Sequence, residues 1–409
     1  MNSDTDNLTK QERIKLLSQG TYGCVFKPGV NCKGNIENPK FITKIQNSYE
    51  NSENETIIGS KIKKIKKYSS YFAPILKTCN ISLGKIKDDE IEKCEVIEEK
   101  NKKYISNKIK YVGKDTLYKF FSHFHVGTPK LFIRKFLESY FDLIKAVTLL
   151  NNSNILHLDL KDNNIMFDEK REKPIIIDFG LSLDSSELKP ENYQKHFFVY
   201  AYDYPPWCFD ISVVSYAVNE LDDDWATKTA TKDDFKKLID NFVKNPIFEE
   251  YDIFTKDDIE KYKEKTMGFF TDFDGVKWSV VVDEFMKYNK TWDVYAIHVI
   301  FLLFTEIYSF DENGGSQTSI HDYPFVTEYI AILKREILAL PEERKDKNAL
   351  FNEIGGVFRK CQRMLTKKLL RNFEVNSKSD VFVQKTKKSI AKAELDELTK
   401  EKDMKMLQV

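Results

Sequence analysis

Residues 157–180 read HLDLKDNNIMFDEKREKPIIIDFG, and the rest of the chain falls into place around them. Two apolar pieces, NILHLDL (154–160) and KPIIIDFG (173–180), flank a polar loop. Asp178 closes Ile175-Ile176-Ile177, a run with the composition of a buried strand. A carboxylate there is a hard oxygen donor of the kind Mg²⁺ prefers. Asp-Phe-Gly alone is a weak signal, since Asp272-Phe273-Asp274-Gly275 nearly repeats it. The upstream loop supplies the specificity. Asp159, Lys161 and Asn164 keep a D-x-K-x-x-N spacing, with Asn164 fourteen residues before Asp178. Together they offer a carboxylate to orient or deprotonate a hydroxyl, a cation for a phosphoryl group and an amide oxygen for a second metal ion. A polar surface loop with a helix cap has no need of that spacing.

Phosphoryl transfer from ATP needs two more parts, a cover for the phosphates and a cation to fix them. Residues 13–46 alternate short apolar runs with Gly and Pro, the pattern of a β-hairpin-rich opening. Within it, Ser18-Gln19-Gly20-Thr21-Tyr22-Gly23-Cys24-Val25 places two glycines where backbone N–H groups must approach closely. Lys44 lies on the next strand, in FITKI. Residues 53–66 then carry Ile57, Ile58, Ile62 and Ile65 at helical spacing, with Glu53 and Glu55 in the first turn.

These motifs, in this order, resemble the eukaryotic-type protein kinase superfamily. The resemblance implies an α+β, two-lobed protein kinase fold: a small β-rich lobe with one main helix, then a large, mostly helical lobe. It implies ATP and Mg²⁺ as cofactors, Asp159 and Lys161 as catalytic residues, and Asn164 and Asp178 as metal ligands. Ser18, Gly20, Tyr22, Gly23, Val25, Lys44, Glu55 and Met166 are the expected nucleotide-site residues. Tyr22 takes the aromatic tip of the Gly-rich loop and Val25 packs on the adenine. Glu55 is the expected partner of Lys44, with Glu53 as the fallback. The expected hinge is Lys110-Tyr111-Val112-Gly113. The predicted domains are 1–110 for the first lobe, 111–374 for the second with a long insert at 208–291, and 375–409 as a charged tail.

Residues 131–150 (LFIRKFLESYFDLIKAVTLL) form a strongly helical pattern ending at Asn151-Asn152-Ser153, and strand-like pieces are read at YFAPILKT, CEVIEE and KYISNKIKYVG. Asp293, in WDVY, resembles the buried aspartate that accepts hydrogen bonds from the catalytic-loop backbone. Three departures stand out. Leu158 replaces the arginine that usually precedes the catalytic aspartate, which implies activity independent of activation-segment phosphorylation. Trp207, in YPPW, fills the slot of an acidic residue, leaving the usual Glu–Arg clamp of the large lobe in doubt. The long insert between Trp207 and Trp292 makes the layout resemble the divergent serine/threonine kinases of large double-stranded DNA viruses. Lys161 favours serine and threonine over tyrosine acceptors. The alternatives are a pseudokinase binding module on the same fold and a small-molecule kinase of the aminoglycoside or choline type.

Bulk composition narrows the field further. Lys+Arg and Asp+Glu both count 64, so a basic surface for nucleic acid is not expected. The six cysteines are scattered without a C-x-x-C pair, which reads as reduced thiols in a cytosolic protein. The first 17 residues have no apolar signal core, and VYAIHVIFLLF (294–304) is shorter than the roughly 20 residues of a bilayer span. The expected partners are ATP and a protein substrate, without membrane or nucleic acid. The expected location is cytoplasmic: host cytoplasm or virion for a viral chain.

Overall fold

The computed structural model describes residues 14–20, 23–47, 50–83, 89–97, 99, 102–122, 129–307, 324–357 and 359–360. The chain is α+β. Its first part is a five-stranded antiparallel sheet of β1 (Lys15–Gly20), β2 (Gly23–Lys27), β3 (Phe41–Gln46), β4 (Ile75–Ser82) and β5 (Lys103–Lys110), ordered β1-β2-β3-β5-β4. In β3, Thr43 and Ile45 point into the interior, and pleating sends Lys44 between them to the opposite face. Lys44 sits opposite Val25 on one side and Asn107 on the other, in the middle of the sheet.

Helix α1 (Glu50–Ile62) lies against β4, burying Ile58 and Ile62. Gly59 permits the approach, since a Cβ there would stand 3.1 Å from the Ile75 carbonyl oxygen. The predicted helix reached Ile65, but the chain turns after Ile62 and Lys67 adopts a left-handed conformation. CEVIEE forms no strand in its described residues; after the short α2 (Asp89–Glu92) it runs through turns that seat Cys94 in the core.

The cysteine expectation is overturned. Cys24 is disulfide-bonded to Cys94 and Cys32 to Cys79, at sequence separations of 70 and 47. Scattered cysteines say nothing about pairing that only the folded sheet creates. Cys208 is free and buried; Cys361 lies outside the described residues.

The second part is mostly helical. It contains α3 (Leu117–Ser122), α4 (Pro129–Asn151), α5 (Tyr193–His196), α6 (Phe209–Asn219), α7 (Lys232–Phe242), α8 (Pro246–Glu249), α9 (Lys256–Phe269), α10 (Trp278–Met286), α11 (Trp292–Ile307) and α12 (Pro324–Ile337). Two small antiparallel ladders support the loops between α4 and α5: β6 (Ile155–Leu156) with β9 (Leu183–Asp184), and β7 (Ile165–Asp168) with β8 (Lys173–Ile176). Helices α7 and α9 each open on a reciprocal cap, Thr231 with Asp234 and Thr255 with Asp258. The stretch 208–291 is built into the core. Every residue of α6 from Phe209 to Val218 is buried, and Phe235 stacks on Phe270 with ring centroids 4.0 Å apart.

The chain divides into two compact units, Met1–Phe351 and Asn352–Val409. The described residues of the second unit, 352–357 and 359–360, are helical, and the tail itself lies outside the described residues. Among the described residues no helix is long and apolar enough to cross a membrane.

Candidate active site

Lys44 is the cation at the centre of the site. Its Nζ lies 3.0 Å from Glu55 Oε2 and 3.2 Å from Asp178 Oδ1. Helix α1 thus presents Glu55, which is buried, while Glu53 is exposed. Burial opposes the charge on Lys44, but Glu55 and Asp178 outweigh it and hold the ammonium above its usual range. Burial also pushes the Glu55 carboxyl up, against the pull of Lys44. For Asp178 the balance tips the other way: burial raises its carboxyl, but Lys44 and the Gly180 N–H keep it below the ordinary value. Asp178 adopts a left-handed backbone (φ 59°), and Phe179 behind it is fully buried, edge-on to Phe72.

The loop at 157–164 is held by its backbone. Asp293, at the start of α11, accepts from the His157 N–H at 2.7 Å and the Leu158 N–H at 3.0 Å. Burial pushes the Asp293 carboxyl up, opposed by His157 and these two donors. Leu158 has φ 61°, a conformation that costs a β-carbon residue about 1–2 kcal/mol. Its side chain is buried, where an arginine would need a partner. His157 Nε2 meets the Ile177 carbonyl at 3.1 Å while Nδ1 accepts from the Asp159 N–H at 3.2 Å. Both bonds are satisfied by the Nε2–H tautomer, and they tie the loop to the segment after β8 that carries Asp178.

At the end of that loop, Asn164 Nδ2 donates to the Asp159 carbonyl at 2.9 Å and to Asp159 Oδ2 at 2.7 Å. Its amide oxygen is thereby turned away from Asp159. Lys161 Nζ reaches Asp159 Oδ1 at 3.0 Å and Oδ2 at 3.1 Å. Among the described residues no group of three or more His, Cys, Asp or Glu side chains is placed to hold a metal. A nucleotide-bridged Mg²⁺ needs fewer, because phosphates and water complete its octahedron. One carboxylate, Asp178, and one amide oxygen, Asn164, fit that requirement.

The remaining predicted residues frame the same region. Ser18 pairs with Val25, and Gly20 with Gly23, across the β1–β2 turn. A Cβ at Gly23 would stand 2.6 Å from the Ile45 carbonyl oxygen, so sheet packing alone demands glycine there. Gly20 has room for one, which leaves its role to the loop rather than the sheet. Tyr22 lies outside the described residues. Met166 is half-buried on β7, bridged to Thr116 just past the predicted hinge. Gly113 in that hinge is pressed against β7, its absent Cβ 2.9 Å from the Phe167 carbonyl oxygen.

Sequence reasoning missed the roles of four residues, Tyr204, Trp207, Asp210 and Arg344. The Tyr204 hydroxyl donates to Asp159 Oδ1. Trp207 Nε1 donates to the Leu158 carbonyl at 2.8 Å. A buried ion pair joins Asp210, three residues beyond Trp207, to Arg344 at 2.6 Å. An apolar-looking PPWCF run hid Asp210, and only the ion pair across 134 residues reveals it. No protein-family model matches the chain, and no curated protein shows significant similarity to it.

Proposed function

We propose that the chain is a protein kinase that transfers the γ-phosphate of ATP to serine and threonine hydroxyls of protein substrates. One observation carries the reading. Lys44 joins Glu55 and Asp178, Lys161 and Asn164 surround Asp159, and His157 ties the two groups together. In this reading Lys44 grips the α- and β-phosphates, with Glu55 holding it in place. Mg²⁺, when bound, neutralises phosphate charge, and Asp178 and the Asn164 amide oxygen are the residues that would hold it. Asp159 orients the acceptor hydroxyl and takes its proton. Lys161 moves from the Asp159 carboxylate to the phosphoryl group in flight.

The test uses labelled ATP and Mg²⁺ with casein or myelin basic protein as acceptor. Asp159→Asn should lose about 10²–10⁴-fold in transfer, the usual weight of a positioned acid–base group, and Asp178→Asn should lose transfer through weakened Mg²⁺ binding. Equal signals from wild type and both variants would sink the proposal. Phosphoamino-acid analysis should give phosphoserine and phosphothreonine; mainly phosphotyrosine refutes the acceptor assignment, and preference for small alcohols refutes the protein one.

A further inference from the structure

We infer that the Tyr204 hydroxyl occupies the acceptor place on Asp159, so that a protein substrate must displace it before transfer. The inference rests on the kinase reading above and adds what controls entry to its site. An ionised carboxylate offers about four acceptor positions, two on each oxygen. Four contacts fill them here. Oδ1 accepts from Lys161 and from Tyr204; Oδ2 accepts from Lys161 and from Asn164. Lys161 has the phosphoryl group as its other partner in the reaction, and Asn164 belongs to the loop. Tyr204 alone brings a hydroxyl, the same group that a substrate would offer.

The side chain is built to stay there. Its ring stands edge-on to Trp207 with centroids 5.5 Å apart, and Lys161 Nζ lies 5.9 Å above its face. The backbone closes two turns around it, Tyr204 N–H to Ala201 at 3.2 Å and Trp207 N–H to Tyr204 at 3.0 Å. Pro205 and Pro206 stiffen the backbone between Tyr204 and Trp207. Burial and the nearby Asp159 carboxylate push the phenol well above its usual range, so it keeps its proton and remains a donor. Yet Tyr204 is only half-buried, and its own side-chain torsions are the route by which it would leave Asp159. An incoming hydroxyl therefore competes with a tethered one, and so does water.

The experiment compares full-length wild type and Tyr204→Phe, which keeps the ring and loses only the hydroxyl. Transfer to myelin basic protein is measured at saturating Mg-ATP, with acceptor concentration varied, and ATP hydrolysis is measured without acceptor. The acceptor KM should fall about tenfold, with the KM for ATP unchanged, and acceptor-free hydrolysis should rise several-fold. An unchanged or higher acceptor KM with a lower kcat overturns the inference, because Tyr204 then only positions Asp159. Phosphate found on Tyr204 of the wild type also overturns it, since the hydroxyl would be a substrate. If wild type transfers nothing, the kinase reading itself fails and takes this inference with it.

Discussion

Replacing Arg344 by methionine should cost the protein a large part of its stability. Arg344 grips Asp210 with both terminal nitrogens, Nη2 to Oδ2 at 2.6 Å and Nη1 to Oδ1 at 3.0 Å, and Nη1 also reaches Thr291 at 2.9 Å. The two side chains are only 6% and 0% exposed. Without Arg344, the Asp210 carboxylate stays buried with the Trp292 indole N–H at 3.1 Å as its remaining side-chain partner. Stranding one member of a buried pair costs about 3–5 kcal/mol, against a total of about 5–15 kcal/mol for a typical domain. With a urea slope of about 3 kcal/mol/M, the unfolding midpoint should fall by about 1–1.7 M. The damage should reach the site as well, because Thr291 and Trp292 adjoin Asp293, whose carboxylate holds the His157 and Leu158 N–H groups. Equilibrium urea unfolding monitored by tryptophan fluorescence gives the first number, and kcat in the transfer assay the second. The double variant Asp210→Leu/Arg344→Met removes both charges and should regain most of the loss. A single variant within about 0.5 kcal/mol of wild type, or a double variant no better than the single, refutes the reasoning.

Three other features of the molecule give measurable outcomes. His298 is buried against the Tyr140 hydroxyl at 2.9 Å; burial, aided by Arg344 and Arg335, holds its imidazole down at about 3. The unfolded chain, titrating near 6.5, takes up that proton first, so stability should fall between pH 6.5 and 3 by up to about 1.4 kcal/mol per pH unit. His298→Gln should flatten that slope between pH 6.5 and 4, and equal slopes reject the assignment. Opening only the 70-residue Cys24–Cys94 loop, with Cys24→Ser/Cys94→Ser, should cost about 4 kcal/mol, read as a lower urea midpoint without reductant; peptide mapping of the wild type that finds free thiols at these positions rejects the pairing. In the proposed kinase reading Leu158 takes the place of a phosphate-receiving arginine, so phosphatase treatment should leave transfer activity intact, and complete loss on dephosphorylation argues against it.

The local parts of the site were legible because they depend on short spacing. Asp159, Lys161 and Asn164 lie within one short loop, and Lys44 and Glu55 sit on neighbouring elements with a short connection between them. Asp293 was also found, through the WDVY start of an apolar helix. What escaped depends on chain segments far apart in sequence. Nothing around Tyr204 announces a bond to Asp159, 45 residues earlier, and Trp207 looks like an intruder until its indole meets the Leu158 carbonyl. The same blindness explains the cysteines: Cys24 and Cys94 become neighbours only when the sheet forms. Asp210 escaped because the slot where a motif would place the acid is the one that Trp207 fills.

The stretch at 208–291 has a consequence for motion. Asn245 is completely buried; its Oδ1 caps α8 through the Ile247 N–H at 3.2 Å, while its Nδ2 donates to the Tyr202 carbonyl at 3.0 Å. One amide thus fastens an irregular surface segment to a helix in the aromatic core. Residues 200–207 should therefore exchange their bonded amide hydrogens together with α7 and α8, at the slow pace of a subglobal opening rather than that of a waving loop. The backbone around Tyr204 is then a fixed frame, and displacement of its hydroxyl from Asp159 would fall to the side chain alone.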